Sequence, residues 1–222
     1  MDELLTSRWV SDVLFAFSAL FAIINPYGLA FIFHSRTIAL SERERARVAF
    51  RVALFAFGVL LVSMFAGSYI LRFFGISMPA LRIGGGLVVA ATGWSMLHAR
   101  PPSEDSHSTS TVNFETVQQM AFFPLTIPLT TGPGTIATAI AIGTNRTGDV
   151  ENILYSLITL TVAAVGVTST IYHAYTRSSV MARLFGEVGT GVITRLSAFL
   201  LLCIGVQIII TGVEEIARSL AS

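Results

Sequence analysis

The chain has 222 residues, of which 53% are hydrophobic and only 12% charged, with a mean hydropathy of +0.73. A soluble domain carries about 25% charged residues, so this composition excludes an ordinary water-soluble protein and points to an integral membrane protein. The net charge of +1 gives no footprint for nucleic acid or for a polybasic lipid anchor.

The start, Met1-Asp2-Glu3, is acidic, and Asp12 adds a further acid just before the first apolar run. A secretory signal needs a basic start and a small-residue cleavage site, so the first apolar segment is expected to be retained. That segment, Val13 to Phe33, is uncharged but carries a break at Asn25-Pro26-Tyr27-Gly28. The dense stretch Arg36 to Arg51 comes next and reads as a solvated helix face. Ser41 with Glu44 fits a capping box that starts the second helix. Span two is Val52 to Leu71. Span three runs from about Pro79 to Leu97, with Arg82 near its start and Gly84-Gly85-Gly86 behind it. Glycine faces let helices approach closely in lipid.

A polar connection, 98–115, separates two halves. Span four, Thr116 to Asn145, is the longest uncharged run. At its centre lies Thr130-Thr131-Gly132-Pro133-Gly134-Thr135, the run least suited to a helix. Span five is Asn152 to Tyr172. Arg177 to Arg195 reads as a mixed loop with room for a short surface helix. Span six is Leu196 to Val213 and contains Cys203 and Gln207. The lone cysteine excludes an internal disulfide and a CxxC metal site, and is expected to be a small buried apolar residue.

The fold expected is a single all-α transmembrane domain of six spans: one half at about 8–97, a linker at 98–115, and a second half at about 116–217. All 14 basic residues are arginine. Nine of them lie in connections 1–2, 3–4 and 5–6, which puts those connections in the cytoplasm and both termini outside. Three spans per half is odd, so two halves of like fold would form an inverted repeat. A shift of 107 aligns Asn25-Pro26-Tyr27 with Gly132-Pro133-Gly134, and a shift of 113 aligns Arg82 with Arg195. Two interrupted spans in matching positions are the best pointer to a transporter's substrate site, because free N–H and C=O groups meet a solute there.

Several motifs also look like a known family. Asn25-Pro26-Tyr27-Gly28, Phe74-Gly75-Ile76-Ser77, Leu81-Arg82-Ile83-Gly84-Gly85-Gly86, Phe123-Pro124-Leu125-Thr126-Ile127-Pro128 running into Gly132-Pro133-Gly134, and Val206-Gln207 resemble the MarC family of integral membrane proteins. The resemblance covers all six spans in order. The chain departs from the family pattern at the three glycines, where relatives often carry an alanine. The resemblance implies a six-span protein of the prokaryotic cytoplasmic membrane, related to lysine-exporter-like carriers. Some relatives are described as carriers of small neutral amino acids such as glycine and alanine.

The expected function is a secondary transporter of a small neutral amino acid, working by alternating access. Its candidate site is Asn25, Pro26, Gly28, Thr130, Thr131, Gly132, Pro133, Gly134, Thr135 and Gln207. Arg82 and Arg195 are candidates for gating or ion pairing, with anchoring at span ends as the other reading. The threonines could serve the solute or only backbone carbonyls, and Gln207 a solute or a neighbouring helix. No carboxylate lies in the apolar cores, which disfavours H+ coupling through one and leaves Na+ coupling or facilitated movement open. No enzyme machinery, metal set or cofactor motif is visible. Membrane lipid is an expected partner, and a homo-oligomer is open. The rivals are an inorganic-ion channel or carrier, which should show a continuous pore, and a non-transporting scaffold, which should show no polar pocket at the breaks.

Overall fold

The computed structural model describes residues 2–98, 121–144 and 150–221. The 98–115 linker beyond His98, the expected start of span four at Thr116, and Arg100 and Arg146 lie outside them. The described residues form helices and short connections, with no strand. We number them α1 (Asp2–Ile24), α2 (Pro26–Arg36), α3 (Glu42–Phe73), α4 (Met78–Leu97), α5 (Ala121–Thr130), α6 (Pro133–Thr144), α7 (Val150–Thr176) and α8 (Ser178–Ala221). Five spans are long and apolar enough to cross a membrane, and α5 with α6 makes a sixth if the bent pair counts as one.

Local chemistry explains the boundaries. Ser41 and Glu44 form the expected capping box, with Ser41 N–H donating to Glu44 Oε2 at 3.0 Å and Glu44 N–H to Ser41 Oγ at 3.4 Å. The α3 helix ends at Gly75, whose φ of 66° suits a residue without Cβ. There Ile76 N–H reaches back to Leu71 O at 2.8 Å. Arg45 departs from the solvated face expected for 36–51. It is 5% exposed, and its guanidinium donates to the Thr37 and Leu40 carbonyls at 3.1 Å each. It thereby satisfies the carbonyl end of α2, where a cation also complements the helix dipole.

The expected loop between spans five and six is mostly helical. The α8 helix begins at Ser178 and turns at Gly186, whose φ of 67° and ψ of 179° break the helix locally. The short arm before that turn is docked, with Ser178, Ser179 and Ala182 buried. Arg183 pairs there with Glu42 at 3.0 Å.

The spans pack in an ordered way. The α4 and α8 helices run antiparallel at very close range. A Cβ on Gly86 would lie 2.6 Å from the Gly205 carbonyl, and one on Gly93 would lie 2.5 Å from Leu202 N and 2.8 Å from the Ala198 carbonyl. Close approach of this kind replaces the hydrophobic drive that lipid cannot supply. A single offset of 119 residues takes Gly86 to Gly205 and Gly93 to Gly212. It takes the neighbours of Gly93, Ala198 and Leu202, back to Pro79 and Ile83, which are the neighbours of Gly212. The expected shift of 113, which pairs Arg82 with Arg195, is not this register. The wider packing has the same exchange: α1 on α7 matches α5 on α3, α2 on α8 matches α6 on α4, and α3 on α7 matches itself.

Candidate functional site

The two breaks start from the same device. Pro26 opens α2 and Pro133 opens α6, each at a position where a missing N–H costs nothing. Leu29 N–H donates to Asn25 O at 3.0 Å, and Ile136 N–H donates to Gly132 O at 3.0 Å. These bonds coincide under the shift of 107 read from the sequence.

From there the breaks differ. Asn25 takes the left-handed conformation, φ 47° and ψ 62°, which asparagine tolerates better than most residues. Its Oδ1 accepts the Gly28 N–H at 3.2 Å, and Asn25 N–H still donates to Phe21 O at 2.9 Å. The chain therefore passes from α1 to α2 as one span, Arg8 to Arg36. Gly132 holds the place of Asn25 at the second break and has no side chain to cap with. The bond from Ile136 to Gly132 is the first in α6, so the N–H groups of Gly134 and Thr135 precede it without an intrahelical acceptor. There the span bends by 69°.

The α5 segment supplies the bend. Phe123 (φ −129°, ψ 124°) and Ile127 (φ −112°, ψ 126°) are extended, each just before a proline, which disfavours the helical region for its predecessor. Threonine hydroxyls reach back to carbonyls five residues earlier along this bent segment. Thr126 Oγ1 donates to Ala121 O and Thr130 Oγ1 to Leu125 O, both at 2.6 Å, and Thr131 Oγ1 to Thr126 O at 3.2 Å. Thr130 Oγ1 also lies 2.8 Å from the hydroxyl of Tyr175 on α7, which is fully buried and stacks on Phe33 at 4.3 Å. Tyr175 is not among the residues the sequence singles out. Its position at a span end reads as interfacial, and only the packing turns its hydroxyl toward the break. Thr135, 4% exposed, differs from the other threonines at this break: its hydroxyl bonds to no described residue.

Thr130, Gly132, Gly134 and Thr135 face one cavity of about 20 Å³, closed by Ile23, Ile24 and Leu29 on one side and Leu201, Ile204 and Ile208 on the other. That volume holds about one water. Pro128 and Leu129 form part of its wall and also wall a larger cavity of about 410 Å³. The larger space is apolar except for Arg36, Thr92 and Ser95. A Cβ on Gly134 would run into Ile208 Cδ1, and one on Gly85 into Pro133, so both glycines keep the break in tight contact with its neighbours.

Other candidates lie elsewhere. Pro26 is buried and Gly28 half-buried at the first break, while Thr131 is buried behind the second. Gln207 is exposed on the far side of α8, away from the cavity, although Leu201, Ile204 and Ile208 of the same helix line it. Arg195 is exposed, and Arg82 of α4 forms an ion pair with Glu215 of α8. Cys203 is exposed on α8, not buried as its apolar run suggested. Among the described residues no cluster of His, Cys, Asp or Glu could hold a metal.

Comparison with known proteins agrees with this architecture. Residues 10–217 match the family model described as MarC family integral membrane protein. A Salmonella arizonae protein named UPF0056 inner membrane protein MarC is 34% identical over 210 residues, covering 90% of this chain and 93% of that protein. Proteins of the same name from Escherichia coli O1:K1 / APEC and Citrobacter koseri are 34% and 33% identical over the same length and with the same coverage. No solved structure matches the chain. With its spans, its two proline-opened helices and this match over nearly the whole length, the chain belongs to the MarC family of integral membrane proteins.

Proposed function

We propose that this protein is a secondary transporter of small neutral amino acids in a cytoplasmic (inner) membrane, with the second break as its solute site. One observation carries the reading: the first break caps itself through Asn25, and the second leaves Gly134 and Thr135 N–H and the Thr135 hydroxyl open toward a cavity. A helix N-terminus with free donors favours a carboxylate. The carbonyl ends of the preceding segments favour an ammonium group. The cavity is closed down to about one water, so a solute enters only as the isoleucine wall moves aside, and the closeness of that wall favours a short side chain.

Alternating access is supported by the packing. The glycine contacts related by 119 residues and the matched pairs of helix contacts fit two inverted three-helix halves, which can rock about a fixed midplane site. The cavity of about 410 Å³ is the access route on the Arg36 side, and Pro128 and Leu129 separate it from the site. A carrier caught with its site closed has such a geometry, whereas an open channel needs a water-filled path. Both termini on the outer side, and coupling to Na+, H+ or neither, complete the proposal without bearing on the site.

The test is uptake of labelled glycine and alanine into liposomes holding the purified protein. We expect saturable uptake that Thr135→Val weakens through KM and that Gly134→Val abolishes with expression nearly unchanged. Ile208 can move its terminal methyl aside for the larger side chain, so the fold should survive. No uptake by folded wild-type protein under any imposed gradient would overturn the amino-acid reading and favour a scaffold, and wild-type transport by Gly134→Val would place the solute site elsewhere than the second break.

A further inference from the structure

The outer face of α8 carries a stripe that no described residue covers. Leu196, Leu200, Cys203, Gln207, Ile210 and Glu214 are all exposed. Their spacing alternates between four and three residues, the repeat of a helix that packs lengthwise against another helix. The opposite face of α8 is already occupied by α4 and by the cavity wall.

Gln207 is the anomaly in the stripe. Arg195 and Glu214 bracket the apolar part of α8, and nineteen residues at 1.5 Å each span about 28 Å, close to a hydrocarbon core of about 30 Å. Gln207 lies seven residues inside Glu214, or about 10 Å deep. Its side chain is too short to reach the interface from there. Its side-chain amide bonds to no described residue; the one described side chain that reaches Gln207 is Thr211, whose Oγ1 donates to the Gln207 backbone carbonyl at 3.0 Å. An amide turned toward lipid is unfavourable unless another helix supplies a partner.

We propose that this face is the interface of a parallel homodimer, in which Gln207 hydrogen-bonds to Gln207 of a second copy. The amide has both a donor and an acceptor, so it complements itself across a two-fold axis. The charges at the end of the stripe fit the same arrangement. Glu214 and Arg218 lie 3.8 Å apart on one face, so each can meet the opposite charge of the second copy. Two copies inserted in the same sense place their α8 helices parallel, and Cys203 then faces Cys203 one turn from the paired amides.

The chain's lone cysteine makes this testable in the full-length protein. Copper phenanthroline applied to native membranes and to dilute proteoliposomes should give a disulfide-linked dimer that reductant reverses and Cys203→Ser abolishes. With single cysteines moved in the Cys203→Ser background, Leu200→Cys and Ile210→Cys should also cross-link, and Val206→Cys should not. Gln207→Leu should weaken dimerisation about three- to tenfold, the range typical of one interhelical hydrogen bond in a membrane, and Gln207→Asn should keep most of it. Leucine at a lipid-facing position keeps the fold intact. Cross-linking absent at positions 200, 203 and 210, equal at 203 and 206, unchanged in Gln207→Leu, or only to a different protein would each overturn the proposal.

Discussion

The hydroxyl pair between Thr130 and Tyr175 gives a quantitative test of how the second break is held. Thr130 has one hydrogen, given to Leu125 O at 2.6 Å, so the Tyr175 hydroxyl donates to Thr130 Oγ1 across 2.8 Å. Both residues are buried, at 1% and 0% exposure, and water cannot substitute for either partner. Tyr175→Phe removes one donor, keeps the stack on Phe33 and leaves the Thr130 hydrogen engaged. Its expected cost is about 1 kcal/mol. Thr130→Val is nearly isosteric but orphans the Tyr175 hydroxyl and a Leu125 carbonyl together, so about 2–3 kcal/mol is expected. In the double variant the orphaned phenol is gone. The double variant should then cost about 1 kcal/mol less than the sum of the two single costs. Thermal unfolding of the purified protein in detergent reads this: 1 kcal/mol is about 2–4 °C for a chain of this size. Additivity within about 0.3 kcal/mol would show that the hydroxyls do not share a bond and would refute their role in holding the break.

Two further predictions separate capping and packing from solute contact. If Asn25 only caps α2, Asn25→Gly should cost a few tenths of a kcal/mol and leave transport near wild type, whereas Asn25→Ala should cost about 1–2 kcal/mol from the lost cap and left-handed backbone. A large transport defect in a stably folded Asn25→Gly would instead place Asn25 in the solute site. In the spans, Gly205→Val should sharply reduce folded protein in the membrane, because its side chain meets the α4 backbone at Ala90 and the Gly86 carbonyl. Gly58→Ala on α3 meets nothing within 4 Å and should be neutral or stabilising by up to about 1 kcal/mol. Equal effects in the two glycine variants, read by size-exclusion fluorescence of solubilised membranes, would contradict the close α4–α8 packing.

Much of this fold comes from local rules. The capping box at Ser41 and Glu44, the proline-opened helices at Pro26 and Pro133, and the shift of 107 between them are properties of short stretches. Their chemistry acts within one turn, so neighbouring residues suffice to reveal it. The candidate site was legible to the same extent. Gly132, Gly134, Thr130 and Thr135 do meet at one cavity, because they lie on the few residues around one bend. Gln207 does not join them, since Leu201, Ile204 and Ile208 show that the cavity face of α8 is another face of the same helix. An apolar span gives no periodicity to distinguish its faces: lipid and protein interior both accept leucine and isoleucine. The same degeneracy hid the exposure of Cys203. The buried role of Arg45 was hidden for another reason: its neighbours in sequence are as charged as it is, and only the packing selects one of them for burial.

By itself the sequence determined that the chain spans a membrane several times, where α2, α3 and α6 begin, and where two of those spans must break. These results rest on transfer free energy and on backbone groups that must be satisfied wherever the helix sits. Only the tertiary structure decided the 119-residue register of α4 against α8, the anchoring of Thr130 by Tyr175, and which break stays open. Asn25 and Gly132 occupy equivalent places, yet one supplies its own acceptor and the other has none. Whether an uncapped helix end becomes a site depends on what packs over it. Here that is a wall of isoleucines from α1 and α8, brought together from residues nearly two hundred positions apart.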